Sequence, residues 1–169
     1  MKKVFFDTNF LLRFYLDDIP TQALKAKRMV EAAKEGAILL VTDLIVTCEM
    51  VWVMDSFYNL EKEVISEKIS NLYRTPGVVV FNGDILPDAL SIYITKNIDF
   101  TDAIVASSAM KNHIEYLASF DKKHMKRLSN LGIKRIEALH YYVRDLTRSR
   151  SFYTDKLDFA EVGHSSDEL

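Results

Sequence analysis

The stretch Lys2–Leu12, KKVFFDTNFLL, decides the fold. Val4, Phe5 and Phe6 form an unbroken apolar run with strong β preference, and Asp7-Thr8-Asn9 ends it in polar side chains. Continuous rather than alternating apolar character predicts a strand covered on both faces, the parallel central strand of an α/β sheet. Ligands of such sheets bind outside the carboxyl ends of the strands. Asp7 therefore stands where chemistry is expected. A helix cap for the segment beginning near Phe10 accounts for the same tripeptide equally well, and the tripeptide alone leaves both readings open.

Outward from this strand, the pattern alternates. Phe10 to Leu16 predicts a short helix closed by Asp17-Asp18-Ile19-Pro20. Pro20 starts the next helix, through Glu35, because proline suits a first turn. Gly36 stops that helix, and Ala37–Val41 reads as the second strand. Thr42 or Asp43 can cap a helix carrying Ile45, Cys48, Glu49, Trp52, Val53 and Ser56. Glu49 falls among residues expected to pack against the sheet, where a carboxylate seldom lies without a partner; a surface position at the edge of that face is the alternative. Further helices are predicted over 60–73, 87–95, 99–109 and 122–131, and further strands over 78–81, 116–120 and 133–136. Asp99 is the natural N-cap of its helix, and Asp102 in the first turn gains from the helix N-terminus. Tyr116–Phe120 ends in Asp121 and so repeats the opening pattern of an apolar strand followed by an aspartate. The expectation is a three-layer α/β/α sandwich with a central, mostly parallel sheet of about five strands. It occupies residues 1–138, and residues 139–169 form a separate extension.

Composition agrees with an ordered protein. Of 169 residues, 49% are apolar and 27% charged, with five glycines and three prolines, which excludes disordered and collagen-like classes. The single cysteine, Cys48, excludes an internal disulfide framework and reads as a small side chain packed in VTCEMVWVM. The N-terminus meets an aspartate too early for a signal-peptide core, and Asp43 and Glu49 interrupt the most apolar region, 37–54, below membrane-spanning length. A cytoplasmic protein is expected. The formal charge is −2, and residues 1–140 carry 18 basic and 18 acidic side chains. A nucleic-acid binder usually shows a basic excess, so any such role rests on a local patch.

Four acids stand at related points: Asp7 and Asp121 after strands, Asp102 in a first turn, Glu49 on an otherwise packed helix. Carboxylates gathered at one sheet edge repel one another unless a divalent cation neutralises them. Oxygen ligands with no zinc-like spacing among His113, His124, His140 and His164 suit magnesium or manganese. Such ions are a recurrent device for phosphodiester cleavage, activating water and neutralising the phosphoryl oxygens. Thr8 and Asn9 can orient Asp7 or a water. Lys122, Lys123, Lys126 and Arg127, just beyond Asp121, together with Arg13, are candidates for backbone phosphate contacts; a solvated helix face accounts for each lysine as well.

VFFDTNFLL, VTDLIVTCEMVWVM, DFTDAIVASSAM and YLASFDKKHMKRL, in this order, resemble the successive motifs of PIN-domain ribonucleases, closest to the VapC toxins of toxin–antitoxin pairs, over residues 2–137. The resemblance implies metal-binding acids at Asp7, Glu49, Asp102 and Asp121, with Asp99 an additional acid of some members. It further implies a magnesium- or manganese-dependent endoribonuclease, often homodimeric, inhibited by a small antitoxin protein and directed at structured RNA such as tRNA. Two other readings remain. A phosphatase or phosphotransferase would use Asp7 as covalent nucleophile, although Asn9 replaces the second aspartate of that pattern. A non-catalytic module of the same fold would bind RNA or protein.

Residues 139–169, LHYYVRDLTRSRSFYTDKLDFAEVGHSSDEL, read as strand (139–143), helix (145–157) and strand (159–162). They resemble the truncated start of a glyoxalase/hydroxyphenylpyruvate dioxygenase-type module, in which a first-strand histidine, here His140, ligates metal. The later strands that supply the other ligands are missing, so no complete site is expected there. Tyr141, Tyr142, Phe152, Tyr153 and Phe159 need burial, which predicts a role in packing or dimerisation. Arg144, Arg148 and Arg150 can face RNA or solvent.

Overall fold

The opening apolar run does form a strand in a parallel sheet. In the computed structural model, strand β1 (Lys2–Phe5) lies parallel to β2 (Ile38–Asp43), with Phe5 opposite Val41. Strand β3 (Val78–Phe81) lies parallel to β2 on its other side, with Leu40 opposite Val78. The Phe6 N–H donates to the Val41 carbonyl at 2.9 Å and carries the ladder to the edge of the Asp7 turn. The structure describes residues 1–136 and 145–156. The strands expected at 139–143 and 159–162, with His140, Tyr141, Tyr142, Arg144 and Phe159, lie outside the described residues, as does the Lys122 side chain.

Helices join the strands. They are α1 (Thr8–Leu16), α2 (Pro20–Lys34), α3 (Leu44–Ser56), α4 (Lys62–Arg74), α5 (Leu86–Thr95), α6 (Phe100–Lys111) and α7 (Lys122–Leu128). Local chemistry sets their ends. Pro20 opens α2, and the Asp43 carboxylate accepts from the Ile45 N–H at 3.1 Å to cap α3. Gly36 follows α2 with φ 76°, in the left-handed region, where no Cβ penalty applies. Gly77 also has positive φ, and a Cβ there would collide with the backbone carbonyl of Ala33 in α2. The glycine thus sets how closely the turn before β3 approaches α2. Between these elements Leu11, Leu40, Met50, Met54, Ile65, Ile69 and Tyr93 are essentially without exposure. Each large aliphatic side chain so buried stabilises the fold by about 1.5–3 kcal/mol.

Two features differ from the sequence expectation. The sheet is not a single layer of five strands: β4 (Tyr116–Ala118) pairs in parallel with β5 (Lys134–Ile136) as a separate two-stranded sheet beside the order β1-β2-β3. Both strands are three residues long, and each satisfies the other. The Lys134 N–H donates to Glu115 O at 2.8 Å, and the Arg135 guanidinium donates to Ser119 O at 2.9 Å. Nor is β1 covered on both faces. Side chains alternate across a strand, and the register sets Phe5, Val41 and Val79 on one face. Phe5 is 59% exposed and Phe81 51%, whereas Leu40 and Thr42 on the opposite face have no exposure. The central strand β2 is covered on both faces, by burial of Leu40 and Thr42 on one and Val41 on the other, whereas β1 and β3 leave that second face open at Phe5 and Phe81.

The chain divides into two compact units, Met1–Glu137 and Ala138–Leu169. The second contains α8 (Leu146–Ser151), capped by the Asp145 carboxylate accepting from the Arg148 N–H at 2.9 Å, and a π-helical turn over Phe152–Lys156. Among the described residues, no helix is long and apolar enough to cross a membrane.

Candidate metal centre

Two helix starts build the centre. The first is that of α6, which Ala103, Ala106, Ser107 and Ala109 let pack closely, all four being buried. Asp99 occupies the N-cap position, yet its carboxylate makes no capping hydrogen bond, so capping does not account for it. Asp102 lies in the first turn. The second is that of α7, where Asp121 caps by accepting from the N–H groups of Lys123 at 2.8 Å and His124 at 3.0 Å. His124, three residues on, returns to the same side of the helix. Its Nδ1 lies 2.6 Å from Asp102 Oδ2, 3.2 Å from Asp121 Oδ2 and 4.0 Å from Asp99 Oδ2.

Ligand atoms of Asp99, Asp102 and His124 all fall within 4.8 Å of one another. Donors this close can share one divalent cation, whose ligand distances are about 2.0–2.6 Å. The donor set is mixed, because His124 adds an imidazole to the oxygen ligands expected from sequence. Carboxylates suit magnesium and manganese, and imidazole suits later transition metals. The Asp121 carboxyl is held below the ordinary carboxylate range, first by the His124 N–H and then by attraction to the His124 ring and the Lys123 N–H. It is therefore ionised across the neutral range, as a ligand or a charge partner must be.

The other two expected acids have partners of their own. Asp7 caps α1, accepting from the Phe10 N–H at 2.9 Å. Thr8 is buried and donates its hydroxyl to Glu49 Oε2 at 2.5 Å, so its partner is Glu49 rather than Asp7. Asp7 and Glu49 both lie outside the Asp99/Asp102/His124 group. Glu49 is exposed, which favours the surface position over the packed face. The buried side of α3 consists of Thr47, Met50, Val51 and Met54, nearly half a turn from Glu49 and Trp52 at about 100° per residue. Trp52, Asp55 and Ser56 of α3 line one cleft with Asp99, Thr101 and Asp102 of α6. Cys48 is half-buried, and burial followed by the nearby Asp43 charge pushes its thiol pKa up, which disfavours the reactive thiolate.

The expected phosphate contacts divide in two. Arg13 pairs with Asp18, whose carboxylate also accepts from Tyr58 Oη at 2.9 Å, and Arg127 donates to the Asn97 carbonyl. Both guanidiniums are thus engaged within the protein. Lys123 and Lys126 are exposed beside the centre. Asn9 is exposed and lines a shallow groove with Phe10 and Arg13 between α1 and α2. His124 is the residue that sequence spacing passed over. Its signal is the DKKH string, which puts a histidine one helical turn after an aspartate that caps the same helix.

No curated protein and no solved structure matches the chain. A family model does, and its description is PIN domain. It spans residues 4–131, covering both sheet edges and both helix starts that carry the acids, and on that match the chain belongs to the PIN-domain family.

Proposed function

We propose that the protein is a divalent-metal-dependent endoribonuclease that hydrolyses RNA phosphodiester bonds. One observation carries the reading: Asp99, Asp102 and His124 present ligand atoms within 4.8 Å of one another at two helix starts of a PIN domain. Magnesium or manganese is the ion we assign, because carboxylate oxygens outnumber the one imidazole. When bound, such a cation supplies an activated water and neutralises charge on the phosphoryl oxygens. Asp102 and Asp99 supply the negative charge that holds it, and Asp121 orients His124 through its hydrogen bonds to the α7 N-terminus. Glu49, which accepts from Thr8, and Asp7 at the end of β1 are proposed as the remaining acids. Exposed Lys123 and Lys126 offer ammonium groups to the phosphates on either side of the scissile bond.

The same proposal extends, by resemblance, to a toxin held inactive by a small antitoxin, acting as a homodimer on structured RNA such as tRNA. The test is incubation of a defined RNA pool with manganese or magnesium, comparing the intact protein with Asp102→Asn. Substitution of a metal-holding carboxylate is expected to lower the cleavage rate by at least about 100-fold, as loss of a main electrostatic contribution does. Full cleavage by the variant would overturn the assignment.

A further inference from the structure

The nuclease reading leaves Trp52 unexplained. It is the protein's one tryptophan, and it stands 66% exposed on α3. Large aromatic side chains are normally well covered. Ile45 and Phe57 are also exposed near the ends of α3. Trp52 alone of the three lines the cleft that contains Asp99 and Asp102.

The lining of that cleft restricts what can lie on the indole. Asp55, Asp99 and Asp102 make the walls acidic, so a phosphate is repelled everywhere except at the cation. The uncharged part of a nucleotide meets no such penalty. A nucleobase has an apolar face for the indole and N–H groups that the carboxylates and the hydroxyls of Ser56 and Thr101 can accept. Stacking on an exposed aromatic is how single-stranded nucleic acid is held without sequence readout. In a duplex both faces of each base are already covered by neighbours.

We infer that Trp52 is a stacking platform for an unpaired nucleobase adjoining the phosphate held at the acidic centre. The inference rests on the nuclease reading and assigns the residue that positions the base. Because the protein has one tryptophan, its emission reports on this position directly. The full-length protein is titrated in calcium, an oxygen-ligated ion, with a dye-labelled single-stranded RNA 12-mer and with the same sequence as a duplex. Emission and dye polarisation are read together. Saturable quenching by the single strand, and weak quenching by the duplex, is the expected result. Binding seen by polarisation with no change in emission, or equal quenching by the duplex, overturns the platform. An emission change that follows protein concentration without RNA also overturns it, since a second copy of the chain then covers Trp52.

Cleavage measured separately in manganese completes the test. Trp52→Ala is expected to raise KM about 10-fold with kcat retained, and Trp52→Phe to fall between, in line with measured base–aromatic stacking. An unchanged KM for Trp52→Ala, with circular dichroism confirming the fold, counts against the platform. Cleavage without quenching removes the platform and leaves the nuclease. Quenching without cleavage does the reverse.

Discussion

At single residues, the unusual groups are those whose chemistry the interior does not satisfy. The Tyr93 hydroxyl and Ser107 Oγ are buried with no hydrogen-bond partner among the described residues. Burial, followed by the nearby charges of Asp55, Asp99 and Glu63, pushes the Tyr93 pKa upward. An unmade buried hydrogen bond costs about 1–3 kcal/mol. The ring itself is well placed, edge-on to Phe100 with centroids 5.5 Å apart and under the Lys62 ammonium at 4.5 Å. Tyr93→Phe keeps both contacts and is expected to be neutral or stabilising by about 1 kcal/mol in urea unfolding; a loss of that size would reveal a partner for the hydroxyl. Asp18 is the opposite case. Hydrogen bonding to Arg13 holds its carboxyl below the usual aspartate value. A depressed folded pKa contributes stability that is present above the unfolded value, about 3.9, and disappears as pH falls through the folded one. Asp18→Asn should therefore lower stability slightly at neutral pH and flatten the loss of stability below about pH 4, read as denaturant midpoints across the two ranges. Because the pair is exposed, the effect is small and fades in high salt.

Among the elements, close approach of backbone to backbone is the more stringent constraint. Gly77 meets the Ala33 carbonyl with no room for a Cβ, and its φ of 74° is one that side chains disfavour. Gly77→Ala must displace either α2 or the start of β3. It is expected to cost at least about 2 kcal/mol, read as a fall in the denaturant midpoint. The alternation of these elements was legible in the sequence because local signals set it: Pro20 opens α2, Gly36 closes it, Asp43 caps α3 and Val78–Phe81 forms β3 as written. The facing of α3 was not legible. Ile45, Cys48, Trp52 and Val53 and the alternative set Thr47, Met50, Val51 and Met54 are both apolar at helical spacing, so periodicity does not say which one the sheet covers. The partnership of β4 and β5 was hidden for a related reason, since three-residue strands carry too little pattern to name their neighbours. Of the candidate site, Asp99, Asp102 and Asp121 come together around His124. Sequence spacing does not reveal that histidine as a ligand because two of its three acidic partners, Asp99 and Asp102, lie at the start of another helix.

For the whole molecule, every buried core residue among the described residues belongs to Met1–Glu137. Removing residues 138–169 is expected to leave a cooperatively melting domain. The aromatic residues of the second unit, proposed to serve dimerisation, give the complementary expectation that light scattering of the truncated protein shows one chain where the full protein shows two. An unchanged mass would remove that role from the tail. The sheet order β1-β2-β3 has one last consequence. Among the described residues β1 hydrogen-bonds on one side only, so its outer amides and carbonyls stand ready for any extended segment that arrives in register. The exposed Lys2 and Lys3 at its start are well placed as gatekeepers, since like charges at a bare edge discourage stacking of one molecule on the next. Alanine at both positions would strip that guard, and the purified protein would then be expected to seed thioflavin-positive filaments at concentrations where the lysine form stays clear.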